Sequence, residues 1–229
     1  EDALAVTWVK RHGKDWRYID QWGAWYRWTG DHWEQERTKQ AVELARNITR
    51  QVLLLGGLKP SERLRVNSAK TAYAMLTFVR SDRAIAAVPE QFDTNSNLLG
   101  VPNGQIDLSV CKYVEADREA YITKQCSVAP HPGVPTKWLE FLKRVTNDNQ
   151  DLIAYLQRFA GYALSGDTSE HALAFLYGTG ANGKTTFVQC LLGILGGYAI
   201  TAPIETFAET RSERHSTELA RLRGARLVA

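Results

Sequence analysis

The sequence predicts an α/β chain in three parts: a mixed α+β domain over residues 1–133, a helical hairpin over 134–166, and the opening of a parallel-sheet domain over 167–229. Three observations carry that prediction. Aromatic runs flank a Gly-Asp turn near the start, two helical apolar stripes follow a cluster of prolines, and a continuous apolar run leads into a glycine-rich loop.

The 229 residues suffice for one large core or two modest ones. At 44% hydrophobic and 23% charged, the composition excludes long disorder and a collagen-like fibre. The longest apolar run, Gln51 to Leu58, falls far short of the roughly 20 residues that span a bilayer, so no membrane protein is expected. Lys and Arg number 28 against 25 Asp and Glu, a net +3 that permits contact with phosphates but does not require it. Cys111, Cys126 and Cys190 are scattered, with no C-x-x-C pair for zinc or redox chemistry, which fits a reducing, cytoplasmic setting. The chain opens at Glu1 without a basic segment before an apolar stretch, so no signal peptide is expected, and its only methionine is Met75. Its last residues read as a buried strand. A segment of a longer protein, cut at both ends, is the expectation.

Six of the seven tryptophans, Trp8, Trp16, Trp22, Trp25, Trp28 and Trp33, crowd the opening. Trp25-Tyr26-Arg27-Trp28 and His32-Trp33-Glu34 flank Thr29-Gly30-Asp31, the pattern of a β-hairpin. From Thr38 the period becomes helical, with Val42, Ala45, Ile48 and Val52 on one face, ending at Gly56-Gly57. A second helix is predicted from about Ser68 to Val79, burying Ala72, Met75, Leu76 and Val79. Short apolar pairs around Asn103-Gly104 predict brief strands. Pro130, Pro132, Gly133 and Pro135 stiffen the chain and mark the expected domain boundary. Beyond it, Trp138, Phe141, Leu142 and Val145, then Leu152, Tyr155, Leu156 and Phe159, repeat the i, i+3, i+4, i+7 spacing of two amphipathic helices.

The run Ala172-Leu173-Ala174-Phe175-Leu176-Tyr177 has the length and continuity of a parallel strand covered on both faces. It leads into Gly178-Thr179-Gly180-Ala181-Asn182-Gly183-Lys184-Thr185, which matches G-x-x-x-x-G-K-[ST], followed by Thr186 and a helical face of Phe187, Cys190, Leu191 and Ile194. Glycines let successive backbone N–H groups turn inward around a phosphate at the positive end of the following helix. Lys184 supplies a mobile charge for β- and γ-phosphates, and Thr185 a hydroxyl ligand for Mg²⁺. Residues Gly178 to Thr186 are therefore the expected nucleotide site, with ATP and Mg²⁺ as cofactors and Lys184 as the catalytic residue.

Asn182 before Gly183-Lys184, Leu164-Ser165-Gly166-Asp167-Thr168, Thr201-Ala202-Pro203, Glu205-Thr206-Phe207 and the ending Glu218 to Val228 resemble the phage and plasmid primase-helicases, whose helicase domain belongs to superfamily 3. Val101-Pro102-Asn103-Gly104-Gln105-Ile106-Asp107-Leu108 and Tyr121-Ile122-Thr123-Lys124 resemble the domain preceding that helicase, also found in poxvirus primase-helicases. The resemblance implies that residues 167–229 begin a P-loop, AAA+-like parallel-sheet ATPase domain and that 134–166 form a collar-like hairpin. It further implies an ATP-driven DNA helicase acting in phage, plasmid or mobile-element replication. Its partners would be single-stranded or forked DNA and further copies in a ring, usually a hexamer, often with a primase domain upstream. In the family an acidic Walker B pair, a sensor Asn and an arginine finger follow the strand matching Arg226 to Ala229. Their positions lie beyond Ala229, so the chain alone is expected to bind nucleotide weakly and not turn it over. The alternative is a DNA-binding and assembly module that keeps a nucleotide loop without turnover.

Core packing is the leading reading of the opening tryptophans, with base stacking as the alternative. Lys10, Arg11, Lys14, Arg63, Arg65 and Lys70 read as a solvated face or a DNA path. Arg211 to His215 read as a surface loop or a subunit-interface element, and His215 has no second ligand at i+3 or i+4 for a metal.

Overall fold

In the computed structural model, which describes residues 1–203, 206 and 222–229, the first element is a helix, α1 (Asp2–His12). The tryptophan-rich reading of this region missed it. Its signal is the spacing of Ala5, Trp8, Val9 and His12, which puts Trp8 wholly inside, at 0% exposure. Strands β1 (Trp16–Ile19) and β2 (Ala24–Trp28) pair antiparallel with Tyr18 opposite Trp25, and β3 (Trp33–Gln35) pairs with β2. The Thr29–His32 turn joining β2 to β3 is the expected hairpin: Gly30 takes φ +115°, and Trp28 faces Trp33 across the pair.

Three helices follow: α2 (Gln40–Leu55), α3 (Pro60–Val66) and α4 (Ala69–Ser81). Helix α3 was not expected; at seven residues it is too short to show a period. Ser68 caps α4, its Oγ accepting from the Thr71 N–H at 3.2 Å, so Ser68→Ala is expected to lower stability by about 1 kcal/mol in chemical denaturation. A short strand, β4 (Ala86–Ala87), then pairs parallel with β1, giving the order β3-β2-β1-β4. The core of this first compact unit, Glu1–Thr94, joins Trp8, Trp16 and Trp25 to Ala45 and Ile48 of α2 and Met75, Leu76 and Val79 of α4. Four of the six opening tryptophans, Trp8, Trp16, Trp25 and Trp33, are thus buried, while Trp28 is half-buried and Trp22 is 38% exposed.

The second unit, Asn95–Ala229, contains the prolines of the expected boundary within itself. It opens with an antiparallel sheet of β5 (Leu98–Val101), β6 (Gly104–Asp107) and β7 (Lys112–Val114). The turn between β5 and β6 is Pro102-Asn103, with Asn103 at φ +67°. Helices α5 (Thr136–Val145), α6 (Gln150–Ser165) and α7 (Lys184–Leu195) follow. Helix α6 turns inward by Ile153, Leu156, Phe159 and Ala160, while Leu152 and Tyr155 of the expected stripe are exposed. Two short strands, β8 (Ala199–Ile200) and β9 (Leu227–Val228), pair in parallel.

The expected strand over Ala172–Tyr177 does not form: these residues carry no regular structure, and Leu173 is 92% and Phe175 82% exposed. A strand buried on both faces needs neighbours to take its backbone hydrogen bonds, and among the described residues none lies beside it. The described residues therefore show mixed helices and sheets, and in the second unit the only parallel pairing among them is β8 with β9. Residues Arg211 to His215, and Glu205 and Phe207, lie outside the described residues. No helix among the described residues is long and apolar enough to cross a membrane.

Cys126 sits in the second core with Leu99, Val101, Leu195 and Tyr198. Burial pushes its thiol up to about 11, against a smaller opposing pull from Arg226. Because the folded state favours the protonated thiol, its contribution to stability is present below its ordinary value of 9.0 and fades as pH rises toward 11. Thiol-reactive dye should label exposed Cys111 first and Cys126 last, and rapid labelling of Cys126 in the native protein would contradict this packing.

Candidate nucleotide site

Helix α7 starts at Lys184, with Gly183 as its N-cap at φ +84°. Gly178 at φ +141° and Ala181 at φ +58° bend the preceding loop. The left-handed turns at Ala181 and Gly183 bracket Asn182 and bring the loop over the start of the helix. No side chain caps α7, and its first turn holds no acid, so the N–H groups of Lys184, Thr185 and Thr186 face outward at the positive end of a twelve-residue helix. That is an anion-binding geometry.

The Lys184 ammonium folds back over the loop. Its Nζ donates to the carbonyls of Gly178 and Thr179, both at 3.1 Å, and to Asn182 Oδ1 at 2.7 Å. All three acceptors belong to the loop itself. Thr185 and Thr186 are exposed at the helix start, where the Thr185 hydroxyl is open to a cation bridging phosphate oxygens. Among the described residues no group of three or more His, Cys, Asp or Glu is placed to hold a metal, so such a cation would depend on phosphate and water for its remaining ligands.

Sequence reasoning found every residue of the loop but not what supports it. A Cβ on Gly183 would meet Val145 and Phe141 of α5. Trp138 stacks on Phe141, with centroids 5.3 Å apart, and on Phe187 of α7 at 5.7 Å. Helix α5 is therefore the bed of the loop. On α7 the inward residues are Phe187, Leu191 and Leu195; Cys190 is half-buried and Ile194 exposed, unlike the expected face.

Arg226 was not singled out by the sequence either. Its guanidinium donates to the Leu164 carbonyl ending α6 and to the Leu98 carbonyl of β5, the latter at 2.7 Å, and lies 4.6 Å from the Tyr198 ring centroid. Tyr198 Oη in turn accepts from the Gly100 N–H at 2.9 Å. The end of the chain is tied in this way to β5 and α6.

Residues 5–147, more than half of the chain, match the family described as "D5 N terminal like", and the chain belongs to that family, the N-terminal part of primase-helicases. Among individual proteins it is similar to one from Acanthamoeba polyphaga mimivirus whose name calls it a "putative helicase". The two are 29% identical over 153 residues, covering 58% of this chain and 15% of the mimivirus protein. The chain thus spans about 15% of that relative's length. The matched family segment ends before α6, and the loop Gly178–Thr186 lies beyond it.

Proposed function

We propose that Gly178 to Thr186 bind Mg²⁺-ATP and that the chain is part of an ATP-dependent DNA helicase of the primase-helicase type. The observation that carries the reading is Lys184 folded over a glycine loop at the uncapped start of α7. Backbone N–H groups of the loop and helix hold the β-phosphate, Lys184 exchanges its three present acceptors for β- and γ-oxygens, and Thr185 holds the cation. Family membership and the mimivirus relative's name support a DNA partner; that the DNA is single-stranded or forked and that copies of the chain form a ring around it are parts of the proposal.

The test is a titration of wild type and variants with a fluorescent ATP analogue. Lys184→Ala is expected to weaken binding at least tenfold with an unchanged melting temperature, because the hydrogen bonds of its ammonium go to Gly178, Thr179 and Asn182 of its own loop. Thr185→Ala should weaken binding only when Mg²⁺ is present. Equal affinity of wild type and Lys184→Ala would remove the assignment.

A second reading is favoured by the exposed run Ala172–Tyr177, which leaves the loop without a flanking strand among the described residues. On it the chain is a DNA-binding and assembly module that binds nucleotide without turning it over. Phosphate release from ATP, with and without single-stranded DNA, separates the two when it is measured on a longer protein that includes residues beyond Ala229, because the 229 residues alone are expected to release none on either reading.

A further inference from the structure

One stretch of this chain is strongly positive on neighbouring helices. Between Lys59 and Arg83 six cations, Lys59, Arg63, Arg65, Lys70, Arg80 and Arg83, stand against Glu62 and Asp82, a net +4 where the whole chain carries +3. Both acids are turned to the backbone: Glu62 accepts from the Lys59 N–H at 2.8 Å and Asp82 from the Ala84 N–H at 2.9 Å. Arg80 lies over the Tyr18 ring at 4.6 Å. Arg63, Arg65 and Lys70 are exposed, and none is paired with a carboxylate among the described residues.

The fold brings these three together on α3 and α4. Thr71 Oγ1 donates to the Arg65 carbonyl at 2.7 Å, which holds the end of α3 against the first turn of α4, the turn that carries Lys70. Along α4, Lys70, Tyr73 and Thr77 are exposed at i, i+3 and i+7, on the side opposite the buried Met75, Leu76 and Val79. Helix α4 contains no acid. Tyr73 is 50% exposed, so a large aromatic face stands in solvent directly beside unpaired cations.

We propose that this outer face of α3 and α4 is a docking surface for single-stranded DNA, with Arg63, Arg65 and Lys70 on phosphates and Tyr73 stacked on a base. The charge complements a polyanion. The exposed ring selects an unpaired strand, because only an unpaired base offers its face for stacking, whereas a duplex presents phosphates alone to such a surface. An acidic polypeptide would answer the cations without needing the ring. The proposal deepens the reading of the chain as part of a DNA-acting protein and rests on it.

Fluorescence anisotropy with a labelled oligothymidylate, over a series of salt concentrations, tests the proposal. Arg65→Ala and Lys70→Ala should each weaken binding and reduce the steepness of log affinity against log salt by about 0.7. Tyr73→Ala should weaken binding about tenfold with the salt slope unchanged, and Tyr73→Phe should bind as wild type does. A duplex should bind more weakly than the single strand, and polyglutamate should compete poorly. Wild-type affinity in all three alanine variants would overturn the proposal while leaving a DNA partner elsewhere on the chain. Failure of the wild type to bind oligothymidylate would overturn both the proposal and the DNA reading. Equal binding of duplex, or efficient displacement by polyglutamate, would overturn the assignment of the face to single-stranded DNA.

Discussion

Trp8→Ala is expected to destabilise the first unit by about 3–5 kcal/mol, the largest stability change we anticipate for one substitution. Trp8 is fully buried, and its ring lies within 5.2–5.8 Å of the ring centroids of His12, Trp16 and Trp25. Its indole Nε1 has no hydrogen-bond partner among the described residues, so the loss is one of packing and cavity rather than of a polar contact. A loss of that size is a large share of the roughly 5–15 kcal/mol that holds a typical domain folded. Denaturation followed by circular dichroism measures it. Trp22→Ala, at a position 38% exposed, should cost less than half as much. Equal stability of Trp8→Ala and wild type would mean that the tryptophan cluster is not the core of this unit.

Gly183→Val is expected to abolish nucleotide binding. The residue sits at φ +84°, where a β-branched side chain is strained, and its added carbons would press on Val145 and Phe141 of α5. The helix start would have to move off its bed, carrying the N–H groups of α7 with it. Gly180→Ala is the control: nothing lies within 4 Å of a Cβ there, so binding should stay close to wild type. Loss of binding in both variants, or in neither, would show that the bed provided by α5 does not matter to the loop.

What could be read in the sequence was local. The hairpin at Gly30 and helices α2 and α4 were legible because a turn dipeptide or a period of 3.6 lies within a few residues. The glycine loop Gly178–Thr186 was legible as a motif because its residues are contiguous. Helix α1 was hidden by tryptophans that also suit strands, and α3 by its length. The α6 stripe was read one step out of phase, since Leu152-Ile153 and Tyr155-Leu156 offer two overlapping apolar rows and only packing against α5 and α7 chooses between them. Ala172–Tyr177 has the composition of a central strand, but composition cannot supply neighbouring strands. The support of Gly183 by Phe141 and Val145, and the ties from Arg226 to Leu98 and Leu164, join residues far apart in the chain, where periodicity is silent.

Calorimetric titration of the wild-type chain with ATP, ADP and AMP in the presence of Mg²⁺ tests the central claim most directly. The loop and Lys184 are assigned to the β- and γ-phosphates, so affinity should follow ATP, then ADP, with AMP far weaker, and removal of Mg²⁺ should lower the affinity for ATP. Binding of AMP as tight as that of ATP, or no heat of binding with ATP at all, would contradict the assignment of Gly178 to Thr186 as a nucleoside triphosphate site.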